Sequence, residues 1–153
     1  MKYKLTAVRS KHIRMIRPQD AQTEEYATMK KTDWWKWAEH IGNNYTAIDE
    51  SGHPFACGGF IEKWPGCATV WMLMGSLINR YRLLWLTRNS LAAMQLHQKK
   101  YKWNRLETHV LGGFTQGTRW AYLLGFQPEG LMECYDEQGR DHVLFARIRK
   151  WAL

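Results

Sequence analysis

The spacing of apolar residues along the chain predicts alternating helices and strands. Tyr81–Tyr101 is the longest periodic segment: apolar residues such as Leu83, Leu86 and Leu91 share one face, and basic and amide side chains occupy the other. Arg105–Val110 instead alternates apolar and polar residues at every second position, which is typical of a half-buried strand. The chain therefore combines both kinds of element.

Shorter segments complete the series, and capping or turn residues delimit several of them. Asp20 predicts a helix N-cap, and Gly42 and Gly125 predict helix ends. The predicted helices are Ala21–Lys31, Trp34–Ile41, Tyr81–Tyr101 and Gln116–Leu124. The predicted strands are His12–Ile16, Tyr45–Asp49, Pro54–Glu62, Ala68–Met74, Arg105–Val110, Leu131–Tyr135 and His142–Arg149. This order predicts an α/β fold with a twisted, mixed, mostly antiparallel sheet that has helices on both faces.

Composition narrows the class of protein. The chain has 153 residues and a net charge of +8, with 45% hydrophobic and 24% charged residues, which predicts one globular domain over residues 1–153. It has no apolar run long enough for a membrane span or signal peptide, and its three cysteines form no C-x-x-C pair, so we expect a cytoplasmic protein with reduced thiols. The basic charge permits a nucleic-acid partner; a solvated basic surface is the alternative.

Three segments carry a resemblance to a known family. They are Ile13–Ala21, where a strand would run into a helix, Phe55–Ile61, where a small residue and glycines precede a more polar segment, and Trp120–Gly130, with its Leu-Gly-Phe-x-x-Glu-Gly junction. Together with the element order, they resemble the Gcn5-related N-acetyltransferase (GNAT) superfamily over Ile13–Ile148. The resemblance implies transfer of an acetyl group from acetyl-CoA to an amine.

A fainter likeness is to small GNAT-like internal virion proteins of short-tailed phages. It rests on Val70–Leu73, on the long basic helix and on the stretch from Val110 to Trp120. This likeness implies a phage-encoded protein located in the host cytoplasm or in the virion.

The GNAT resemblance also implies where the cofactor lies. The pantetheine arm would pair with the fourth strand, Ala68–Met74, where it diverges from the fifth, and the diphosphate would lie at the start of the main helix. The implied cofactor-binding residues are Met72, Leu73, Met74, Gly75, Arg80, Tyr81 and Arg82. Backbone N–H groups and the helix dipole favour an anion at such a position.

Two positions depart from the family pattern. The phosphate loop of the family is rich in glycine, whereas Ile78–Leu83 has none, so the guanidinium groups of Arg80 and Arg82 are the substitute donors. The tyrosine that often protonates the CoA thiolate is replaced by Ala121, and Tyr122 follows one residue later. The loop without glycine leaves open whether the site is active.

Two of the three candidate catalytic residues lie on the fifth strand, and the third, Tyr122, lies on the predicted helix Gln116–Leu124. Glu107 and His109 share a face by period two, so that a carboxylate and an imidazole are placed to act as base and proton relay. The alternative is that both side chains point to solvent. Glu62, near the end of the third strand, is another candidate base, and the histidine spacing predicts no metal site.

The aromatic cluster Trp34, Trp35 and Trp37 predicts an acceptor-binding lip, because one face of a short helix cannot bury all three rings. Core packing is the alternative. Two functions follow from the sequence. The first is an N-acyltransferase that uses acetyl-CoA and an amine. The second is a catalytically degenerate GNAT-fold protein that binds a host protein or nucleic acid or forms part of a virion.

Overall fold

A computed structural model of the chain describes residues 2–149. The helices are α1 (Ser10–Met15), α2 (Thr23–Lys31), α3 (Trp34–His40), α4 (Arg80–Tyr101) and α5 (Thr115–Leu123), with a 3₁₀ turn at Asp20–Gln22. The strands are β1 (Lys4–Ala7), β2 (Asn43–Ile48), β3 (Pro54–Trp64), β4 (Cys67–Met74), β5 (Arg105–Leu111), β6 (Gln127–Met132) and β7 (His142–Ile148). None of the helices in this part of the chain has the length and hydropathy of a membrane span.

The strands form one mixed sheet of seven strands in the order β1-β2-β3-β4-β5-β7-β6. β4 and β5 are parallel, and their ladder joins Cys67 to Arg105, Ala68 to Leu106 and Thr69 to Glu107. The pairs β1–β2, β2–β3, β5–β7 and β6–β7 are antiparallel. The predicted α/β fold with a mixed, mostly antiparallel sheet is therefore confirmed.

The predicted first strand, His12–Ile16, is wrong, because this segment belongs to helix α1. Ile13 and Ile16 are buried and three residues apart, whereas Met15, which a strand would place beside Ile13, is 54% exposed. The actual first strand is β1, an edge strand whose residues are mostly exposed, so it carries no hydrophobic pattern.

The predicted boundaries around Asp20 and around the last hairpin also differ from the structure. Asp20 begins the 3₁₀ turn, and the residue at the N-cap of α2 is Gln22. β6 spans Gln127–Met132 rather than Leu131–Tyr135, because this edge strand is almost wholly exposed and shows no alternation to place it. The expected single domain over residues 1–153 includes residues 1 and 150–153, which lie outside the described part, and it stays a prediction.

Contacts divide the described chain into two compact units. Residues 2–61 and 70–86 form one, and residues 62–69 and 87–149 form the other. In the first unit a buried cluster includes Ile13, Ile16, Tyr26, Trp35 and Leu73. Because burial of each large apolar side chain contributes about 1.5–3 kcal/mol, this cluster holds α1, α2 and α3 against the strands of the unit.

Gly58 and Gly59 show why the predicted small-residue segment of β3 needs glycine. A Cβ atom on Gly58 would lie 2.4 Å from the Trp71 carbonyl oxygen, and one on Gly59 would lie 2.3 Å from the Asn43 carbonyl oxygen. Both distances are too short for any side chain. The two glycines therefore let β2 and β4 approach β3 closely.

The second unit has its own buried residues, among them Trp103, Leu106 and Phe145. The fully buried Gln98 side chain donates to the Trp103 carbonyl at 3.2 Å and accepts a hydrogen bond from Arg147 of β7. Because a buried amide without partners is destabilising, this pair of bonds fixes the end of α4 against β7.

Candidate functional site

The start of α4 lies in the first unit and is capped by Asn79. The Asn79 side-chain oxygen accepts a hydrogen bond from the Arg82 N–H at 2.9 Å, and its carbonyl accepts from the Leu83 N–H at 2.8 Å. Asparagine is a favoured N-cap because its side chain satisfies a helix donor in this way. The helix therefore begins one residue before its predicted start.

The backbone N–H groups of Arg80 and Tyr81 have no acceptor in the described part of the chain. The first turn of α4 contains no acidic residue, and both side chains are exposed. Two unpaired donors at the positive end of a 22-residue helix can hold an anion such as a phosphate. This arrangement needs no glycine, because the donors belong to the helix itself.

Arg82, in contrast, is occupied within the protein. Its Nη2 donates to the Asp49 carboxylate at 3.0 Å, its guanidinium lies 4.9 Å from the centre of the Phe55 ring, and its side chain is only 16% exposed. An ion pair combined with a cation–π contact holds the group in place. Arg80 is therefore the freer of the two predicted guanidinium donors.

The edge of β4 that faces away from β3 is already paired. The Gln22 side-chain amide donates to the Met72 carbonyl at 2.6 Å, and its oxygen accepts from the Met74 N–H at 2.9 Å. The Gln19 N–H donates to the Met74 carbonyl at 3.1 Å. This edge therefore binds a carboxamide, through one donor and one acceptor, at the place where the resemblance puts the amides of the pantetheine arm.

The remaining predicted cofactor residues lie around this edge. Leu73 is 1% exposed, and Gly75 donates its N–H to the Phe55 carbonyl at 2.8 Å, so both are fixed to the sheet. A Cβ atom on Gly75 would lie 2.9 Å from that carbonyl oxygen. Gly75 is thus held by strand packing, and its N–H is not a donor for a ligand.

The three tryptophans of α3 differ in burial. Trp35 belongs to the buried cluster, Trp34 packs edge-on against Trp71 with ring centres 4.5 Å apart, and Trp37 is 41% exposed. Trp34 and Trp37 are themselves in contact, with ring centres 5.7 Å apart. One ring is therefore core and one is available at the surface.

In the second unit, the Glu107 carboxylate is fully engaged. Lys63 donates to one oxygen at 2.7 Å and Arg105 to the other at 2.6 Å, while Arg105 also pairs with Glu129. Burial by itself would raise the pKa of Glu107, but the hydrogen bonds from Lys63 and Arg105 hold that pKa below its usual value. A carboxylate in this state is a weak proton acceptor.

His109 instead belongs to a chain of hydrogen-bonded groups. Its Nδ1 lies 3.0 Å from Nδ1 of His142, and Nε2 of His142 lies 3.0 Å from an oxygen of Asp136. The Tyr135 ring packs edge-on against both imidazoles. Burial, with the adjacent His142, lowers the pKa of His109 to about 4, so His109 is neutral at pH 7.

The other candidate groups have different surroundings. The Tyr122 ring is 48% exposed and contacts Phe145 edge-on. Glu62 accepts a hydrogen bond from the Trp103 ring N–H at 2.6 Å. Cys57 is buried, which raises the pKa of its thiol. Within residues 2–149 no group of three or more His, Cys, Asp or Glu side chains is arranged to hold a metal ion.

No protein-family model matches this sequence, and no curated protein sequence does. Solved structures do match. A candidate phosphinothricin N-acetyltransferase superposes with a TM-score of 0.73 at 14% identity, covering 98% of this chain and 100% of the other. The ribosomal-protein-S5-alanine acetyltransferase from Vibrio fischeri gives 0.69 at 13% identity, with 97% and 93% covered. A GNAT-family acetyltransferase from Bacillus anthracis gives 0.70 at 12% identity, with 97% and 95% covered.

These likenesses show that the chain has the fold of GNAT acetyltransferases, and they confirm the resemblance to that superfamily at the level of the fold. The fainter likeness to phage virion proteins stays a prediction. At such low identity they show the fold alone. The catalytic, cofactor and acceptor roles of individual residues remain predictions.

Sequence reasoning missed four residues of the candidate site. Asn79 carried a usable signal, because asparagine before a periodic segment marks an N-cap. Gln22 and His142 carried none, because the first contacts a strand 50 residues away and the second meets His109 only through the pairing of β5 with β7. Asp136 carried none because it reaches His109 only through His142.

Proposed function

We propose that this chain is an N-acyltransferase that transfers an acetyl group from acetyl-CoA to an amine. The observation that carries the proposal is the pair of unpartnered N–H groups at Arg80 and Tyr81 in a chain with the GNAT acetyltransferase fold. Bound acetyl-CoA would supply an acetyl thioester for the amine to attack.

The residues at the start of α4 fit a diphosphate. The two backbone donors would bind its oxygens, and the exposed Arg80 side chain adds a positive charge beside them. Arg82 would contribute at longer range, since its guanidinium is paired with Asp49. Met72 and Met74 would hold the pantetheine amides once the Gln22 side chain has turned away, because the same two backbone groups now hold the Gln22 carboxamide.

Among the predicted catalytic groups, His109 fits the role of base best. Nε2 of His109 has no hydrogen-bond partner among residues 2–149, whereas both oxygens of Glu107 accept hydrogen bonds from cations. We assign Glu107 to holding Lys63 and Arg105 in place. The exposed Tyr122 hydroxyl remains our proposed proton donor to the CoA thiolate.

The acceptor is an amine of neutral or acidic surroundings, because a net charge of +8 repels polycations such as polyamines. Trp34 and the exposed Trp37 would supply an apolar contact for it, with Trp35 holding α3 in the core. Some structural neighbours are named for other amines, one being a spermidine N-acetyltransferase chimera.

Thermal melting with and without acetyl-CoA tests the proposal. A ligand with a dissociation constant of about 10 μM, supplied at about 1 mM, stabilises the fold by about 2.7 kcal/mol. For a chain of this size that is a melting shift on the order of 5–10 °C. When acetyl-CoA is mixed with a neutral amine or with a peptide that has a free N-terminus, the protein should release the free thiol of CoA. No shift at millimolar acetyl-CoA would refute the proposal.

A second candidate function is a binding module without catalysis. The observation that favours it is that Gln22 and Gln19 already satisfy the Met72 and Met74 groups on the free edge of β4. The predicted host-protein, nucleic-acid and virion roles belong to this second function, and the predicted phage origin is common to both functions. Retention of nucleic acid or a protein partner together with no response to acetyl-CoA would establish it.

A further inference from the structure

The side chains of Asp136, His142 and His109 form a continuous hydrogen-bonded chain in the hairpin of β6 and β7 and on β5. His142 is 6% exposed, so its ring is fixed by the protein rather than by solvent. Neither Asp136 nor His142 was among the residues that sequence patterns indicated. This series of hydrogen-bonded side chains ends at His109 on β5, which is the proposed base.

The charge of Asp136 restricts where the protons of the two imidazoles can lie. Arg140 donates its Nε–H to the Asp136 oxygen at 2.7 Å, and the backbone N–H groups of Gln138 and Arg140 donate to the other oxygen at 3.0 and 2.9 Å. Burial by itself would raise the pKa of Asp136, but the hydrogen bonds from His142 and Arg140 hold that pKa well below its usual value. The carboxylate is therefore ionised and can only accept hydrogen bonds.

The roles of the imidazole nitrogens follow for one protonation state, that in which both rings are neutral. Nε2 of His142 must carry the proton, because its partner is an accepting carboxylate oxygen. In the state in which His142 is neutral, its Nδ1 has a lone pair, and Nδ1 of His109 is the donor across their 3.0 Å contact. Nε2 of His109 is left as an unprotonated nitrogen.

This last nitrogen is open to a reactant. It has no hydrogen-bond partner among residues 2–149, and the one buried side-chain nitrogen or oxygen without a partner in that range is Nε of Arg82. Nε2 of His109 is therefore accessible to solvent, and the half-exposed Tyr135 ring packs edge-on against both imidazoles.

We propose that Asp136 and His142 are positioning residues that fix the tautomer of His109 and make its Nε2 the proton acceptor of the transferase. The proposal rests on the proposed function. As the C–N bond to the acetyl group forms, Nε2 of His109 takes the proton of the amine, directly or through a water molecule. Nδ1 of His109 passes its own proton to Nδ1 of His142, and the positive charge comes to rest on His142 beside Asp136.

The imidazole nitrogen resonances test the tautomers without any substrate. In the unmodified protein at neutral pH we expect long-range ¹H–¹⁵N spectra to show the proton on Nδ1 of His109 and on Nε2 of His142. In His142→Phe, which keeps a planar ring but removes the acceptor, His109 should no longer be held in the Nδ1–H form. A proton on Nε2 of His109 in the unmodified protein would overturn the proposal, whether or not acetyl-CoA binds.

Kinetics test the catalytic consequence. His109→Phe should lower kcat by about 10²–10⁴-fold, as expected for loss of a general base, and His142→Phe should lower it by at least about tenfold while KM for acetyl-CoA changes less than twofold. Asp136→Asn should act in the same direction as His142→Phe. Glu137→Gln, in the same turn and exposed, is the control for charge and should leave kcat unchanged. Unchanged kcat in a folded His142→Phe variant would overturn the positioning role.

The two kinds of failure are distinguishable. If acetyl-CoA neither binds nor reacts but the tautomers are as assigned, the proposed function fails, while the assignment of the His109 tautomer to Asp136 and His142 is supported. If acetyl transfer occurs and His142→Phe leaves both the tautomer and kcat unaltered, the function stands and the positioning role fails. Melting curves of each variant, compared with Glu137→Gln, show which variants are folded.

Discussion

The donors at the start of α4 can be tested by removing a single backbone N–H. Arg80 is the first residue of the helix, directly after the Asn79 cap. Proline is well tolerated at this position, because its φ suits the helix and no intrahelical bond uses that N–H. Arg80→Pro therefore removes both the side chain and the donor, whereas Arg80→Ala removes the side chain alone.

The magnitude follows from the chemistry of the bond. A hydrogen bond to a charged group contributes about 1.5–3 kcal/mol, so the dissociation constant for acetyl-CoA should be about 10- to 150-fold larger for Arg80→Pro than for Arg80→Ala. If Arg80→Ala binds at about 10 μM, the stabilisation by about 1 mM ligand falls from about 2.7 to about 1.4 kcal/mol or less. The melting shift should fall to half or less.

Calorimetric titration of the two variants with acetyl-CoA gives the comparison directly, and ligand-free melting curves with helix content by circular dichroism control for folding. Arg82 is unsuitable for this purpose, because its replacement also removes the ion pair with Asp49 and the contact with Phe55. Equal affinities for the Ala and Pro variants would refute a role for the N–H. Loss of all binding in Arg80→Ala would show that the guanidinium, not the helix, holds the phosphate.

Three further predictions concern the β4 edge where the pantetheine arm would bind, the dependence of stability on pH, and binding to nucleic acid. Gln22→Ala should tighten acetyl-CoA binding about fivefold or more, because the ligand no longer displaces two hydrogen bonds of about 0.5–1.5 kcal/mol each; Gln19→Ala, whose β4 bond uses the backbone, is the control, and equal affinities would contradict the reasoning. Because the pKa of His109 is about 4 in the folded protein against 6.5 unperturbed, the unfolded chain binds more protons between these values, and stability should fall as pH falls from about 6.5 to 4. The urea midpoint should therefore drop more from pH 7 to 5 for the unmodified protein than for His109→Gln; equal drops would count against it. Any binding to DNA or RNA should weaken steeply between low and physiological salt, and no retention at low salt would exclude this partner.

The sequence alone located the elements that are buried on one side or capped at their ends. α4 begins at Arg80 instead of Tyr81, and β5 ends at Leu111 instead of Val110. In these segments the apolar period matches the geometry of the element, so local sequence and tertiary burial agree. The family resemblance pointed to the glycines of β3, and the structure shows that close strand approach requires them. The edge strands β1 and β6 were missed or misplaced, because exposed residues leave no periodic signal.

For the site, the sequence pointed to His109 by its place on a strand and to the start of α4 by family resemblance. Only the tertiary structure decided what each group is bonded to. The register of β5 and β7 places Leu111 opposite His142 and His109 opposite Leu144, which brings the two imidazoles together. Gln22 meets β4 from 50 residues away, and Arg82 meets Asp49 from 33. Such bonds join residues that are distant along the chain, so no local period records them, although they decide which donor is free and which nitrogen can take a proton.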